Sequence, residues 1–202
     1  MKVIGVTGPT GSGKSLLGKH LSKHGIPVID ADEVYHGLLI PPSPCLDALK
    51  TAFGSGIFYK DGSLDRSKLS AIVFRDPQKL ELLNRTVLIF VLDRIRVMLR
   101  AMERDGFPAA IVDAPTLIES GFHRECGTVI SVLSPKELRL ERIMQRDGLT
   151  REKAEARIAA QKDDEFYRSH SHYVLVNEGD RDAFYEKLNT LFGELEIPLS
   201  SQ

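Results

Sequence analysis

The chain has 202 residues, 42% hydrophobic and 27% charged, with a net charge of −1. That balance suits a soluble globular protein with a large core, and its near-neutrality gives no global attraction to nucleic acid or an anionic membrane. The longest apolar run, Val87–Leu92, is far too short to span a bilayer. Two cysteines, Cys45 and Cys126, stand far apart without CxxC spacing, which argues against structural zinc and for a reducing compartment. The chain enters its first strand at once, so no secretory signal is expected and the cytoplasm is the expected location.

Val3–Val6 reads as a buried strand. After it, Gly8, Gly13, Lys14 and Ser15 fit G-x-x-x-x-G-K-[ST], the phosphate-binding loop. Leu16, Leu17, His20, Leu21 and His24 then fall at helical spacing, and Gly25 can close that helix. Glycines let successive N–H groups converge on an anion, and a helix start adds unpaired N–H groups with partial positive charge. Gly8, Gly11, Ser12, Gly13, Lys14, Ser15 and Leu16 are therefore the expected nucleotide contacts. Lys14 is placed to reach the β- and γ-phosphates, and the Ser15 hydroxyl to ligate Mg²⁺.

Ile26–Ile29 is a second strand, running into Asp30-Ala31-Asp32. Carboxylates at this end of a strand lie where open α/β sheets bind ligands. Asp32 is expected either to accept a proton from a substrate hydroxyl or to join a magnesium shell, the bland alternative being a helix cap. Asp30 is read as a cap or loop residue. Breakers at Pro41, Pro42 and Pro44 open a stretch with helical patterns at 45–53, 67–73 and 77–84 and no strand. Residues 33–84 are accordingly expected to be a helical insertion that recognises the second substrate. Arg66 is its candidate anion contact, weighed evenly against an ordinary exposed arginine.

Residues 85–104 keep 3.6-residue apolar spacing and read as a core helix. Ala109–Asp113 is a third strand, and Asp113 at its end is the candidate second magnesium-shell residue. Glu119, in the loop that follows, either contacts substrate or is simply solvated. Thr128–Leu133 is a fourth strand, and Ser134 is the expected cap of the next helix. On that helix Arg139, Arg142 and Arg146 share one face. Beside a nucleotide site such guanidiniums read as a lid that neutralises a transferring phosphoryl group, against the alternative of a solvated basic face. Asp147-Gly148 breaks the helix, and Thr150 begins another.

Tyr173–Asn177 is the fifth strand and 181–195 a closing helix. His170 and His172 lack an evident third metal ligand and read as solvent or structural. The tail from Ile197 is expected to fray. The order describes an α/β fold of the phosphate-loop kinase type: about five parallel strands, helices on both faces, a helical insertion and a helical lid. The expected layout is one domain over 1–202, with a core of 1–32, 85–135 and 170–197, the insertion at 33–84 and the lid at 136–165. The absence of an Asn/Thr-Lys-x-Asp segment favours a small-molecule kinase over a GTPase. A nucleoside or nucleotide kinase, and a nucleotide-binding regulator without catalysis, are the alternatives.

Over nearly its full length the chain resembles the dephospho-coenzyme A kinase family. The resemblance rests on Gly5-Val6-Thr7-Gly8 with Gly11–Ser15, Val28–Asp32, Phe53-Gly54, Asp61–Arg66, Val73-Phe74, Leu83-Asn84, Pro115–Glu119, Arg157–Gln161 and Tyr173–Gly179, in family order at family spacing. It implies transfer of the ATP γ-phosphoryl group to the ribose 3′-hydroxyl of dephospho-CoA. It implies Lys14 on the phosphates, Asp32 as base, an arginine of the Arg139–Arg142 face at the γ-phosphate, and Arg66 near the CoA body. ATP, Mg²⁺ and dephospho-CoA are the implied ligands, with no nucleic-acid or membrane partner and a monomer or weak homo-oligomer. The chain departs from the family where Gly8-Pro9-Thr10-Gly11 replaces Gly-Gly-Ile-Gly, and where Arg85-Thr86 follows Leu83-Asn84 in place of His-Pro.

Overall fold

The apolar runs pair into one sheet. In the computed structural model, which describes residues 1–199, the strands are β1 (Lys2–Thr7), β2 (Val28–Asp30), β3 (Ala109–Asp113), β4 (Thr128–Leu133) and β5 (Tyr173–Val176). Their order is β2-β3-β1-β4-β5. β1 runs parallel to both β3 and β4, and β4 parallel to β5. The glycine loop thus leaves the central strand, with a neighbour on either side.

The chain divides into two compact units. One is Met1–Ile29 together with the chain from Leu99 onward; the other is Asp30–Met98. In the first unit, β1 is followed by α1 (Lys14–Lys23). Gly25 ends that helix at φ 82°, with Gly25 N–H bonding Ser22 O at 3.2 Å and Ile26 N–H bonding Leu21 O at 3.1 Å. This is the Schellman arrangement, which needs a left-handed residue at that place. Leu21 and Ile26 then enter one core with Ile4, Val6, Ala109, Ile111, Ile130 and Val132 of the strands. Phe184, Leu188 and Phe192 of the closing helix complete it. On the other face of β1, Gly5 leaves room for Leu117 and Cys126: a Cβ there would sit 2.6 Å and 2.9 Å from them.

The second unit holds α2 (Ala31–Leu38), α3 (Pro44–Phe53), α4 (Arg66–Val73) and most of α5 (Pro77–Arg104). Its helix starts follow local chemistry. Asp30 Oδ1 accepts from Asp32 and Glu33 N–H at the head of α2, at 2.8 and 3.2 Å. Ser43 accepts from Cys45 N–H with Pro44 at the first helical position, and Asp65 accepts from Lys68 N–H at the head of α4. The 61–63 turn closes where Asp61 accepts from the N–H and hydroxyl of Ser63.

Four local expectations are corrected. The two helices expected at 77–84 and 85–104 are one, α5, because no glycine or proline interrupts it; Thr86 Oγ1 bonds Leu82 O at 2.7 Å within the helix. Ser134 does not cap α6 (Lys136–Asp147); its hydroxyl donates to Asn177 O at 2.6 Å instead. After α7 (Arg151–Ala159) a further short helix, α8 (Asp164–Ser169), forms on an Asp163 cap. Beyond α9 (Arg181–Glu194), Ile197 is buried and its N–H bonds Phe192 O at 3.0 Å. The chain therefore does not fray there, and the rest of the expected fraying, at 200–202, lies outside the described residues. His172 is structural, its Nδ1 accepting from Val129 N–H at 2.9 Å. Both cysteines are buried free thiols, and burial pushes the Cys126 thiol up to about 12.

Candidate active site

The phosphate loop is shaped by three glycines at φ 137° (Gly8), 76° (Gly11) and 106° (Gly13), a region side chains avoid. Contacts crowd all three as well, a Cβ on Gly11 lying 2.9 Å from Arg139 O. A Cβ on Gly8 would lie 2.2 Å from Val132 O, and one on Gly13 would lie 2.2 Å from Asn177 Nδ2. Lys14 is the first residue of α1, and its Nζ donates to Gly8 O at 2.7 Å, so it folds back over the loop. Ser15 follows, exposed, in the first turn. Leu16 N–H bonds Gly13 O at 3.0 Å and begins the helix ladder. Ser12 Oγ is buried and has no hydrogen-bond partner among the described residues.

The arginine face of α6 meets this loop. Arg139 is 5% exposed, and its Nε donates to Thr10 O at 3.0 Å. Arg142 Nη1 donates to Gly11 O at 2.9 Å, to Ser12 O at 3.4 Å and to Ser134 Oγ at 3.1 Å. Three successive loop carbonyls therefore point at guanidiniums. In a trans peptide the carbonyl of one residue and the N–H of the next point in opposite directions. The Gly11 and Gly13 N–H groups are thereby turned away from the arginines. The Ser12 N–H closes a turn on Pro9 O at 3.3 Å. Of the guanidinium groups that the resemblance assigned to the γ-phosphate, Arg139 Nε and Arg142 Nη1 bond the loop's own carbonyls in this structure. Arg146 reaches the tip through Thr10 Oγ1 at 3.3 Å and also pairs with Asp147. Burial lowers the Arg139 pKa, and nearby Asp164 opposes that shift.

Asn177 was missed in the sequence and is a hub of this arrangement. It is 2% exposed. Its Nδ2 donates to Ser12 O at 3.0 Å, while Oδ1 accepts from Arg142 Nη2 and Gly179 N–H, each at 3.2 Å. The signals available were its place in the Tyr173–Gly179 segment of the resemblance and a polar residue closing an apolar strand, a pattern far commoner in turns than in sites.

Asp113 is half-buried at the end of β3, in register opposite Val6, two residues ahead of Gly8. Ala114 N–H bonds Val6 O at 3.0 Å and keeps the two strand ends together. Glu119 is exposed in the loop beyond; it adds to burial in raising the Tyr167 hydroxyl to about 12. Among the described residues no cluster of three or more His, Cys, Asp or Glu could hold a metal. A hydroxyl and a carboxylate, Ser15 and Asp113, are hard oxygen donors of the kind that suit Mg²⁺ shared with phosphates and water rather than caged by protein.

In the other unit, Asp32 is exposed in the first turn of α2, next to the Asp30 cap, so Asp30 and not Asp32 starts the helix. Arg66 is exposed at the head of α4. Burial raises the pKa of Tyr35, and the charge of Arg66 pulls against it.

The chain matches the family model for dephospho-CoA kinase over residues 2–182. It is 38% identical over 182 residues to a dephospho-CoA kinase of Symbiobacterium thermophilum, covering 90% of this chain and 76% of that one. It is 35% identical to a dephospho-CoA kinase of Shouchella clausii, covering 92% of this chain and 94% of that one. The solved dephospho-CoA kinase of Campylobacter jejuni superposes with a TM-score of 0.72 at 28% identity, over 96% of this chain and 98% of that one. With the glycine loop on the central strand, the 2-3-1-4-5 strand order and these full-length likenesses, the chain belongs to the dephospho-CoA kinase family.

Proposed function

We propose that the protein transfers the γ-phosphoryl group of ATP to the ribose 3′-hydroxyl of dephospho-CoA, forming coenzyme A and ADP. The observation that carries the acceptor in this reading is the match to the dephospho-CoA kinase family over residues 2–182; nucleotide binding rests on the glycine loop, whose carbonyls at 10, 11 and 12 are held by Arg139 and Arg142. A polyphosphate bound there meets amides already aimed at it, so little reorganisation remains for binding or reaction.

In the reaction the bond from the γ-phosphorus to the β–γ bridging oxygen breaks, and a bond to the 3′-oxygen forms. Asp32 takes the proton of that hydroxyl. Lys14 neutralises charge on the β- and γ-phosphates, and Gly8, Gly11, Ser12, Gly13 and Leu16 line the cradle. Ser15 and Asp113 would hold Mg²⁺, which when bound neutralises phosphate charge. Arg139 and Arg142 serve the γ-phosphate from behind the loop, by orienting its peptides. Arg66 and Glu119 contact the acceptor.

Residues 33–84 form the acceptor-binding insertion and 136–165 the lid of a single kinase domain, 1–202. No helix among the described residues is long and apolar enough to cross a membrane. We place the enzyme in the cytoplasm, as a monomer or weak homo-oligomer, without nucleic-acid or membrane partners.

Purified protein with ATP and Mg²⁺, offered a panel of alcohol acceptors, tests the reading. Turnover of dephospho-CoA to coenzyme A is expected. Turnover of a nucleoside, with none of dephospho-CoA, would reject it. The clamp gives a further expectation. Asn177→Ala removes the donor to Ser12 O and leaves Arg142 Nη2 without its acceptor. At about 1–3 kcal/mol for such a loss, KM for ATP should rise about ten-fold or more. KM for dephospho-CoA should stay put in the same steady-state kinetics.

A further inference from the structure

Thr10, at the tip of the phosphate loop, has every polar atom engaged from the α6–α8 region. Its carbonyl takes Arg139 Nε at 3.0 Å and its hydroxyl takes Arg146 Nη2 at 3.3 Å. Its N–H donates to Oε1 of Gln161, also at 3.0 Å. Gln161 lies half-buried just after α7, in the stretch leading to α8. The same Oε1 accepts from Arg139 Nη2 at 3.2 Å. Two donors converge on one atom, so that atom must be the carboxamide oxygen.

The four groups close a ring. One edge of the Arg139 fork holds Thr10 O through Nε and Gln161 Oε1 through Nη2. Gln161 Oε1 in turn holds Thr10 N–H, which returns to Thr10. A guanidinium held at two points along one edge cannot turn about its own axis. With Gln161 gone, Arg139 keeps one loop bond and a longer approach to Asp164, 3.8 Å from Nη1. Thr10 N–H loses its acceptor. Nothing else on the α7–α8 stretch bonds the loop among the described hydrogen bonds.

We propose that Gln161 is a positioning residue for phosphoryl transfer, whose carboxamide oxygen fixes the loop tip and Arg139 in one arrangement through a single doubly shared acceptor. Gln161 acts through Thr10 and Arg139 and need not touch substrate. This rests on the dephospho-CoA kinase reading above.

What Gln161 contributes is an acceptor of a given shape, not a charge, and that makes the role separable. Gln161→Glu keeps an oxygen where both donors need one but adds negative charge close to the phosphate cradle. Gln161→Ala removes the acceptor. For Gln161→Ala, kcat should fall about 10- to 100-fold, the scale of a misplaced reacting group. KM for dephospho-CoA should change by less than about two-fold. For Gln161→Glu, kcat should return to within about three-fold of wild type. Its affinity for ATP, titrated directly by calorimetry without acceptor, should weaken about five-fold or more through like-charge repulsion.

Thermal unfolding of both variants is measured alongside. The proposal is overturned if Gln161→Ala keeps wild-type kcat, if Gln161→Glu is as slow as Gln161→Ala, or if both lose activity in step with a fall in Tm. A wild-type protein that phosphorylates some other acceptor would overturn the substrate reading alone. The same kcat comparison, run on that acceptor, and the acceptor-free ATP titration would still decide the part played by Gln161.

Discussion

Asp32→Asn is expected to lower kcat by about 10²- to 10⁴-fold, the usual worth of a general base. ATP affinity, measured by titration without acceptor, should stay within about two-fold. The carboxamide matches the carboxylate in shape but cannot take the hydroxyl proton. Helix α2 should still start, because its head depends on the Asp30 carboxylate and the backbone N–H of Asp32, and thermal unfolding of the variant checks the rest of the fold. Loss of kcat and loss of stability are therefore separable here. A variant with wild-type kcat would remove Asp32 from the chemistry and leave the phosphate loop in need of another base. A nucleotide-binding regulator would behave differently again, keeping its output in this variant.

The second large effect is structural. Gly8→Ala places a methyl group 2.2 Å from Val132 O and 3.1 Å from Val132 C, at φ 137°. The obstacle is backbone near the C-terminal end of β4, so no side chain can swing aside. Strained backbone and overpacking together should cost about 3 kcal/mol or more. That corresponds to a drop in Tm of about 6 °C or more for a chain of this size, with ATP binding lost. Gly148→Ala is the matched control. Gly148 is also left-handed, at φ 63°, but a Cβ there meets nothing within 4 Å. It should cost only the conformational part, about 1–2 kcal/mol. Equal losses in the two variants would show that the contact with Val132 is not what demands glycine at position 8.

Much of the fold was legible because it is written locally. Ala109–Asp113 and Thr128–Leu133 form strands with the bounds expected, since each is an apolar run closed by a change of composition. The loop was legible because glycine spacing, lysine and serine serve one geometry between a strand and a helix. Asp30 illustrates the limit. Two carboxylates two residues apart compete for one cap, and only the observed turn settles that Asp30 takes it. Ser134 illustrates a different limit. Ser-Pro ahead of a helical pattern is a sound cap signal, but a carbonyl more than forty residues away claims the hydroxyl. Helical spacing likewise put Arg139 and Arg142 on one face without saying what that face meets. Asn177 and Gln161 stood inside segments that carry the resemblance, Tyr173–Gly179 and Arg157–Gln161, yet got no role for the same reason: their bonds are to tertiary partners.

The rungs joining β1 to β3 seat Val6 beside Asp113, and Ile4 beside Ile111. Side chains of a strand alternate between its two faces, so a slip of a single rung would swing Asp113 to the wrong side. Ala109 and Ile111 would turn with it onto the opposite face, where the equally buried Ala110 and Val112 now pack, so both faces would have to repack. A carboxylate set beside a loop a hundred residues earlier in the chain is thus proofread by oily neighbours that take no part in the chemistry. Misthreaded molecules would betray themselves by failing to fold, long before they had a chance to bind a nucleotide badly.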